Sequence, residues 1–136
     1  MCGIVALIGS REAAPQLLEG LRQLEYRGYD SAGIATVDRA HEGDDPETMG
    51  TLHCLKAEGK LVNLTSRIEA QGASGHCGIG HTRWATHGKP EERNAHPHLD
   101  GRAELAVVQN GIIENHRSLR QSLQAEGVQF LSLIHI

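Results

Sequence analysis

The spacing of apolar residues predicts the first two elements of the chain. Residues 2–8 form an apolar run that ends at Gly9, and its length and β-branched residues indicate a buried strand. Ser10 is the predicted N-cap of the helix that follows. Four leucines in that helix recur at helical spacing and form one apolar stripe toward a core: Leu17, Leu18, Leu21 and Leu24.

Strands and helices alternate along the remaining sequence. The further strands are predicted at residues 34–37, 51–56, 77–84 and 105–108. The further helices are predicted at 61–72 and 115–127, and loops at the acidic stretch 38–50 and at 86–101. Asn115 is the predicted N-cap of the last helix and Gly127 its C′ residue. Gly78 and Gly80 leave room for another layer to approach their strand closely.

The composition predicts one soluble domain. Of its 136 residues, 39% are hydrophobic and 22% are charged, so the chain is too apolar for a disordered protein. A net charge of −4 offers no basic surface to nucleic acid or an anionic membrane, and no apolar run is long enough to span a bilayer. The cysteines are odd in number and far apart, which favours free thiols and a cytoplasmic location: Cys2, Cys54 and Cys77.

Cys2 is the first residue whose position suggests chemistry. Because it is small and follows Met1, it permits removal of Met1, which leaves a thiol and a free α-amino group on one residue. An α-amino group, with an ordinary pKa of about 7.7–8.0, can act as a general base near neutral pH. A base beside a thiol is useful because the thiolate is the nucleophile. The alternative interpretation is an incidental buried cysteine.

Asn110 and Gly111 follow the predicted strand at residues 105–108. A side-chain amide and a neighbouring backbone N–H can together stabilise one developing oxyanion. The same dipeptide is also typical of a hairpin turn, so the pair alone leaves both interpretations open.

Arg83 ends another predicted strand, where its guanidinium could bind a carboxylate in a bidentate manner. Three residues that follow could contact the same ligand: Trp84, Thr86 and His87. The alternative is a surface arginine beside a packed indole.

Nine histidines raise the question of a metal site. Six histidine and cysteine residues lie between positions 76 and 98, but they form no Cys-x₂-Cys or His-Glu-x-x-His pattern and have no regular ligand spacing. We therefore expect no metal and no cofactor, and keep a metal-binding module as an alternative.

Five segments along the chain form an ordered series. They are Met1-Cys-Gly-Ile-Val5, Leu24-Glu-Tyr-Arg-Gly-Tyr-Asp-Ser-Ala-Gly33, His81-Thr-Arg-Trp-Ala-Thr-His-Gly88, Asn94-Ala-His-Pro-His98 and Asn110-Gly-Ile-Ile-Glu-Asn115. Together they resemble the class II glutamine amidotransferases. The resemblance runs from Met1 to about Phe130 and covers roughly the first half of that family's glutaminase domain.

The resemblance implies an α+β fold, the four-layer αββα sandwich of N-terminal-nucleophile hydrolases, incomplete here. It implies that Cys2, once Met1 is removed, attacks the side-chain amide of glutamine with its own α-amino group as general base. Asn110 and Gly111 would stabilise the oxyanion, and water would hydrolyse the γ-glutamyl thioester to glutamate. Arg83 would bind the glutamine α-carboxylate in a pocket lined by Trp84, Thr86 and His87.

Within the family, the segments are most similar to the branch that passes ammonia to fructose 6-phosphate in a separate sugar-phosphate isomerase domain, which this chain lacks. For that branch the resemblance implies glutamine and fructose 6-phosphate as substrates and a homodimeric full-length protein. The phosphoribosyl-pyrophosphate branch is the alternative, and the segments at residues 26–33 and 82–87 disfavour it. A glutamine-binding domain without catalysis is a further alternative.

The chain departs from the family pattern at two places. Gln109 stands where the family more often has histidine. Residues 131–136 replace a segment whose aspartate binds the ammonium group of glutamine, and their sequence matches the read-through of a transposon-derived sequencing adapter. We therefore expect residues 2–130 to be the N-terminal part of a type-2 glutaminase domain and residues 131–136 to be a non-native tail. The chain alone is then expected to be unstable and inactive, since the strands that complete both sheets are missing.

Overall fold

A computed structural model describes residues 1–38, 50–85 and 89–130 of the chain. The strands are β1 (Gly3–Ile8), β2 (Ser31–Val37), β3 (His53–Glu58), β4 (Cys77–Arg83), β5 (His98–Leu99) and β6 (Ala106–Val107). The α-helices are α1 (Ala13–Leu24), α2 (Leu61–Gln71) and α3 (His116–Ala125), and short 3₁₀ turns cover Glu25–Arg27 and Glu92–Asn94. Thr86, His87, most of the predicted acidic loop and the predicted tail at 131–136 lie outside the described residues.

The main sheet is antiparallel, and its strand order β1-β4-β2-β3 places the first strand at an edge. Gly3 pairs with Thr82, and β4 pairs on its other side with β2, where Gly33 lies opposite His81. Helices α1 and α2 cover one face of this sheet. β5 and β6 form a separate two-stranded sheet. The described residues therefore have the mixed α+β composition that the sequence predicted.

The core lies between the helices and the main sheet. Its largest fully buried apolar side chains come from α1, β2 and α2: Leu17, Leu21, Ile34 and Leu64. Burying each of these side chains stabilises the fold by roughly 1.5–3 kcal/mol relative to leaving it exposed. The close approach of α1 depends on Gly78 and Gly80, because a β-carbon at Gly78 would lie 2.8 Å from the Leu17 Cδ1 atom. This confirms the prediction that these glycines admit another layer.

The opposite face of the main sheet is covered in part by the segment that leads to β5. The backbone oxygen of His96 lies so close to Gly33 that a β-carbon there would clash with it. On the edge strand β1, by contrast, the side chains of Ile4 and Ile8 remain 39% and 66% exposed. Because strand residues alternate between faces, these isoleucines share their face with Cys2.

Several elements begin or end at other residues than predicted, because long-range contacts determine these boundaries. The N-cap of α1 is Glu12, not Ser10, and the Glu12 carboxylate accepts a hydrogen bond from the Gly75 backbone N–H at 3.1 Å. Strand β2 begins three residues earlier than predicted, and β3 lies two residues later. Asn115 is the N-cap of α3 as predicted, and Gly127 adopts the positive φ expected beyond its C-terminus. No helix among the described residues has the length and apolar character needed to cross a membrane.

Candidate active site

Cys2 lies directly before β1, at the end of the strand that faces β4. Because Gly3 pairs with Thr82, Cys2 comes next to Arg83 across the sheet. The Trp84 backbone N–H donates to the Cys2 sulfur at 3.3 Å, and the Trp84 carbonyl oxygen lies 3.7 Å from the same sulfur. The thiol is half-buried and not disulfide-bonded. Met1 before it is 78% exposed.

Arg83 is only 7% exposed, although sequence analysis predicted a strand-end residue open to a ligand or to solvent. Its guanidinium donates to the Lys89 carbonyl oxygen at 3.3 Å and lies 3.8 Å from the carboxylate of Asp30. The side chain lies on the same face of the sheet as Cys2, because the two residues are neighbours across an antiparallel pair. The alternative of a surface arginine is therefore wrong.

Asp30 is a site residue that sequence analysis did not single out. Its carboxylate accepts hydrogen bonds from the Ala85 backbone N–H and from the Ser31 hydroxyl, besides facing Arg83. It therefore connects the turn before β2 to the residues that follow β4. The only sequence signal was its place inside a glycine-containing segment between a helix and a strand.

Trp84 is 43% exposed and packs edge-to-face on Tyr29, with ring centroids 5.3 Å apart. The indole is thus held from one side and open on the other, as a residue that contacts a ligand must be. The predicted contacts of Thr86 and His87 fall on residues outside the described part of the chain.

Asn110, in the segment after β6, is held against the main sheet by a contact between its side chain and that of His81. Its Oδ1 atom lies 2.8 Å from Nε2 of His81, a residue of β4 that pairs with Ile4. Since His81 and Arg83 are two residues apart on one strand, their side chains share a face. The structure therefore brings Asn110 to the face and the end of the sheet where Cys2 lies.

Gly111 is exposed and follows Asn110 outward from β6. In the described residues the chain continues from Gly111 into α3, and β6 pairs with β5 alone. The hairpin alternative for the Asn110–Gly111 pair is therefore wrong, because no described strand returns along β6 after it.

His96 stacks on His81 with ring centroids 4.3 Å apart and an angle of 19° between the rings. Its Nδ1 atom accepts a hydrogen bond from the Gln109 backbone N–H at 3.4 Å, next to Asn110. Burial is the main cause that lowers the pKa of His96, and together with the positive charges that His81, His98, Arg83 and Lys56 can carry it brings this pKa to about 3. Burial is also the main cause that lowers the pKa of His81. Both rings are therefore neutral at neutral pH.

The buried state of His96 leads to a prediction about pH. Between about pH 6.5 and 3 the unfolded chain binds a proton at this histidine and the folded protein does not, so the free energy of unfolding should fall as the pH is lowered through this window. Urea unfolding of the protein expressed from its complete reading frame, at about pH 7 and about pH 5, measures this loss in the free energy of unfolding. The His96→Gln variant, which cannot titrate, should lose less stability over the same interval. An equal loss in both proteins would contradict the prediction.

The described residues contain no group of three or more histidine, cysteine, aspartate or glutamate side chains arranged to hold a metal ion. His81, His96 and His98 do cluster, but His96 stacks on His81 and meets His98 edge-to-face. One ring nitrogen of His81 contacts Asn110, and one ring nitrogen of His96 accepts a hydrogen bond from the Gln109 backbone.

Comparison with known proteins shows which proteins the chain is similar to. No protein-family model matches the chain. Over 97% of its length the chain is 60% identical to the glutamine–fructose-6-phosphate aminotransferase (isomerizing) of Thermosynechococcus vestitus and 56% identical to that of Synechocystis. It spans 20% and 19% of the lengths of these two proteins.

Solved structures agree on the fold. The glutamine phosphoribosylpyrophosphate amidotransferase of B. subtilis matches 93% of this chain and 26% of its own chain, with a TM-score of 0.71 and 29% identity. A structure described as the allosteric regulatory enzyme of purine biosynthesis matches with a TM-score of 0.73 and 28% identity. These matches confirm the predicted N-terminal-nucleophile hydrolase fold, and the higher identities favour the fructose-6-phosphate branch over the phosphoribosyl-pyrophosphate alternative. Over nearly its whole length the chain thus matches about a fifth of the glutamine–fructose-6-phosphate aminotransferases, with the fold of a glutamine amidotransferase.

Proposed function

We propose that the chain is the glutaminase part of an enzyme that forms glucosamine 6-phosphate from fructose 6-phosphate and glutamine. The observation that supports this most directly is the placement of Cys2 and Asn110 at one end and on one face of the main sheet. This end of the sheet carries three groups that hydrolysis of the glutamine side-chain amide can use. The thiol can act as nucleophile, the primary amide can stabilise the oxyanion, and the buried guanidinium can bind the α-carboxylate.

The reaction starts from Cys2 after Met1 has been removed. The free α-amino group takes the thiol proton, and the sulfur forms a bond to the side-chain amide carbon of glutamine. The tetrahedral intermediate collapses when the carbon–nitrogen bond breaks, and the proton held by the amine passes to the departing nitrogen, which leaves as ammonia. Water then attacks the γ-glutamyl thioester: its oxygen bonds to the acyl carbon, the carbon–sulfur bond breaks, glutamate is released, and a proton from the water goes to the thiolate of Cys2.

The negative charge of the intermediate is assigned to Asn110 and Gly111. The side-chain amide of Asn110 and the backbone N–H of Gly111 are adjacent donors, and donors already in place at a developing oxyanion lower the barrier without reorganisation. Removing one such donor in other hydrolases costs roughly 10²–10³-fold in kcat.

Recognition of glutamine is assigned to Arg83, Trp84, Thr86 and His87. Arg83 is buried beside Asp30, so its guanidinium is held in place before a substrate carboxylate arrives. Trp84, whose backbone contacts the Cys2 sulfur, has a half-exposed ring that offers an apolar surface to a ligand. Thr86 and His87, which follow Trp84 closely in the sequence, are assigned as further polar contacts to glutamine.

The rest of the proposed protein follows from the share of its relatives that the chain spans. We assign residues 2–130 to the N-terminal part of the glutaminase domain and residues 131–136 to a non-native tail. Fructose 6-phosphate would bind in a sugar-phosphate isomerase domain outside this chain. The complete protein is proposed to be a cytoplasmic homodimer that binds neither nucleic acid nor membranes and needs no cofactor.

The proposed function can be tested on the protein expressed from its complete reading frame. We expect the N-terminal mass to show loss of Met1, and glutamate release from glutamine to increase when fructose 6-phosphate is added. Release without any response to the sugar phosphate would leave a glutaminase but contradict the proposed acceptor. A retained Met1 or an absence of turnover would contradict Cys2 as the nucleophile.

A further inference from the structure

We propose that His81 is a positioning residue for the oxyanion site: its Nε2–H group holds the Oδ1 atom of Asn110 and so turns the Asn110 Nδ2 group toward the reacting carbonyl. The inference rests on the proposed glutaminase function. It assigns to His81 a role that is separate from binding glutamine, because His81 acts through Asn110.

The buried side chain of His81 makes one polar contact among the described residues. The residue is 1% exposed, and its Nε2 atom lies 2.8 Å from Asn110 Oδ1. Its other ring nitrogen, Nδ1, is buried and has no hydrogen-bond partner among the described residues. A buried polar ring usually satisfies both nitrogens, so the contact to Asn110 is the one that explains why a histidine occupies this core position.

The second observation fixes which atom is the donor. A neutral imidazole carries one N–H and one bare nitrogen. If the proton were on Nδ1, a buried N–H would face no acceptor, and orphaned buried donors are rarer than orphaned acceptors. The proton therefore belongs on Nε2, where it is donated to Asn110. Burial keeps the ring neutral, because it lowers the pKa of His81.

The direction of this bond decides the chemistry of Asn110. A primary amide has an acceptor at one end and two donors at the other. When Oδ1 is occupied by His81, both Nδ2 hydrogens remain for another acceptor. In the reversed orientation Asn110 would present Oδ1 to the oxyanion, and two negative oxygen atoms would repel each other.

The ring of His81 is itself held in place. His96 stacks on it at 4.3 Å, and Gly33, which pairs with His81, leaves the space that the His96 backbone occupies. His96 in turn accepts the Gln109 backbone N–H, so the residue before Asn110 is anchored to the same stack. Both the amide and the segment that carries it are therefore connected to β4.

The experiment uses the protein expressed from its complete reading frame and measures kcat and KM for glutamine hydrolysis. His81→Gln keeps an amide N–H near the Nε2 position, whereas His81→Asn carries the same group one methylene shorter and cannot reach Asn110. We expect His81→Asn to lower kcat by roughly 10- to 100-fold with little change in KM, since the oxyanion contact forms only in the transition state. His81→Gln should recover most of that loss.

A double variant separates positioning from a structural role. If His81 acts through Asn110, then His81→Asn combined with Asn110→Ala should be no slower than Asn110→Ala alone. Losses that multiply, a His81→Asn variant as active as the parent, or a His81→Gln variant as slow as His81→Asn would each overturn the inference. The parent and Cys2→Ala are measured beside these variants. An inactive parent overturns the proposed function together with this inference, whereas an active parent with any of the three results above overturns this inference alone.

Discussion

Replacing Cys2 with alanine should abolish glutamine hydrolysis, with a loss of roughly 10³-fold or more in kcat. The sulfur atom is the nucleophile that attacks glutamine in the proposed reaction. The hydrogen bonds described for the Cys2 side chain involve only the Trp84 backbone and include no hydroxyl that could replace it. The α-amino group remains in the variant, so the measurement isolates the thiol. Glutamate release by the complete protein, before and after the change, is the assay.

The other two cysteines provide the matched controls. Cys54 lies on β3, where burial raises the pKa of its thiol, and Cys77 begins β4 at the end of the sheet away from Arg83. Cys54→Ala and Cys77→Ala should leave turnover within about threefold of the parent, because changes away from the reacting groups have small effects. Glutamine binding that survives Cys2→Ala while turnover is lost supports an enzyme. Turnover that survives Cys2→Ala would mean that the thiol is not the nucleophile.

Replacing Gly33 with alanine should have the largest effect on stability, a loss of about 3 kcal/mol in the free energy of unfolding. The added β-carbon would lie 2.2 Å from the His96 backbone oxygen and 3.0 Å from the Leu55 backbone oxygen. Backbone atoms of a strand and of a packed segment cannot move aside as a flexible side chain can. Urea unfolding of the variant and of the parent, both expressed from the complete reading frame, measures the change.

Gly9→Ala is the control for this prediction. Gly9 follows β1, and a β-carbon there would meet no atom within 4 Å, so the change should alter stability by less than about 0.5 kcal/mol. The Gly33 variant should also lose glutaminase activity when it is still folded, because His96 would be displaced from the His81 ring. Equal stability of the two variants would show that the His96 segment does not pack on β2.

The kinds of elements in this fold could be predicted from the sequence, because apolar residues repeat with the period of each element. The helix that buries Leu17 and Leu21 is one example. Its first residue could not be predicted, since Glu12 becomes the N-cap through a contact with Gly75, 63 residues away. The start of β2 was missed for a related reason: Ser31 and Ala32 have no β-sheet signal of their own and join the sheet by pairing with β3 and β4.

Some residues of the candidate site could be predicted from the sequence and others could not. Cys2, Arg83 and Asn110 could be named because each carries a group with a recognisable use, and the structure brings them to one end of the sheet. Asp30 and His81 were missed as partners, because their roles depend on which residues they meet across the fold. A histidine in a strand next to Gly78 and Gly80 gave no signal of which face it would occupy or what it would hold.

The strand order has a consequence for how the protein is made. Among the described strands β1 pairs with β4 alone, and about 70 residues of chain must be synthesised between them. At roughly 5–20 residues per second, the ribosome needs several seconds to supply that partner. During this interval the N-terminus is a single unpaired strand beside a growing chain, and Met1 and Cys2 are open to cotranslational processing. Removal of Met1 from the proposed nucleophile can therefore be complete before the proposed site has been assembled.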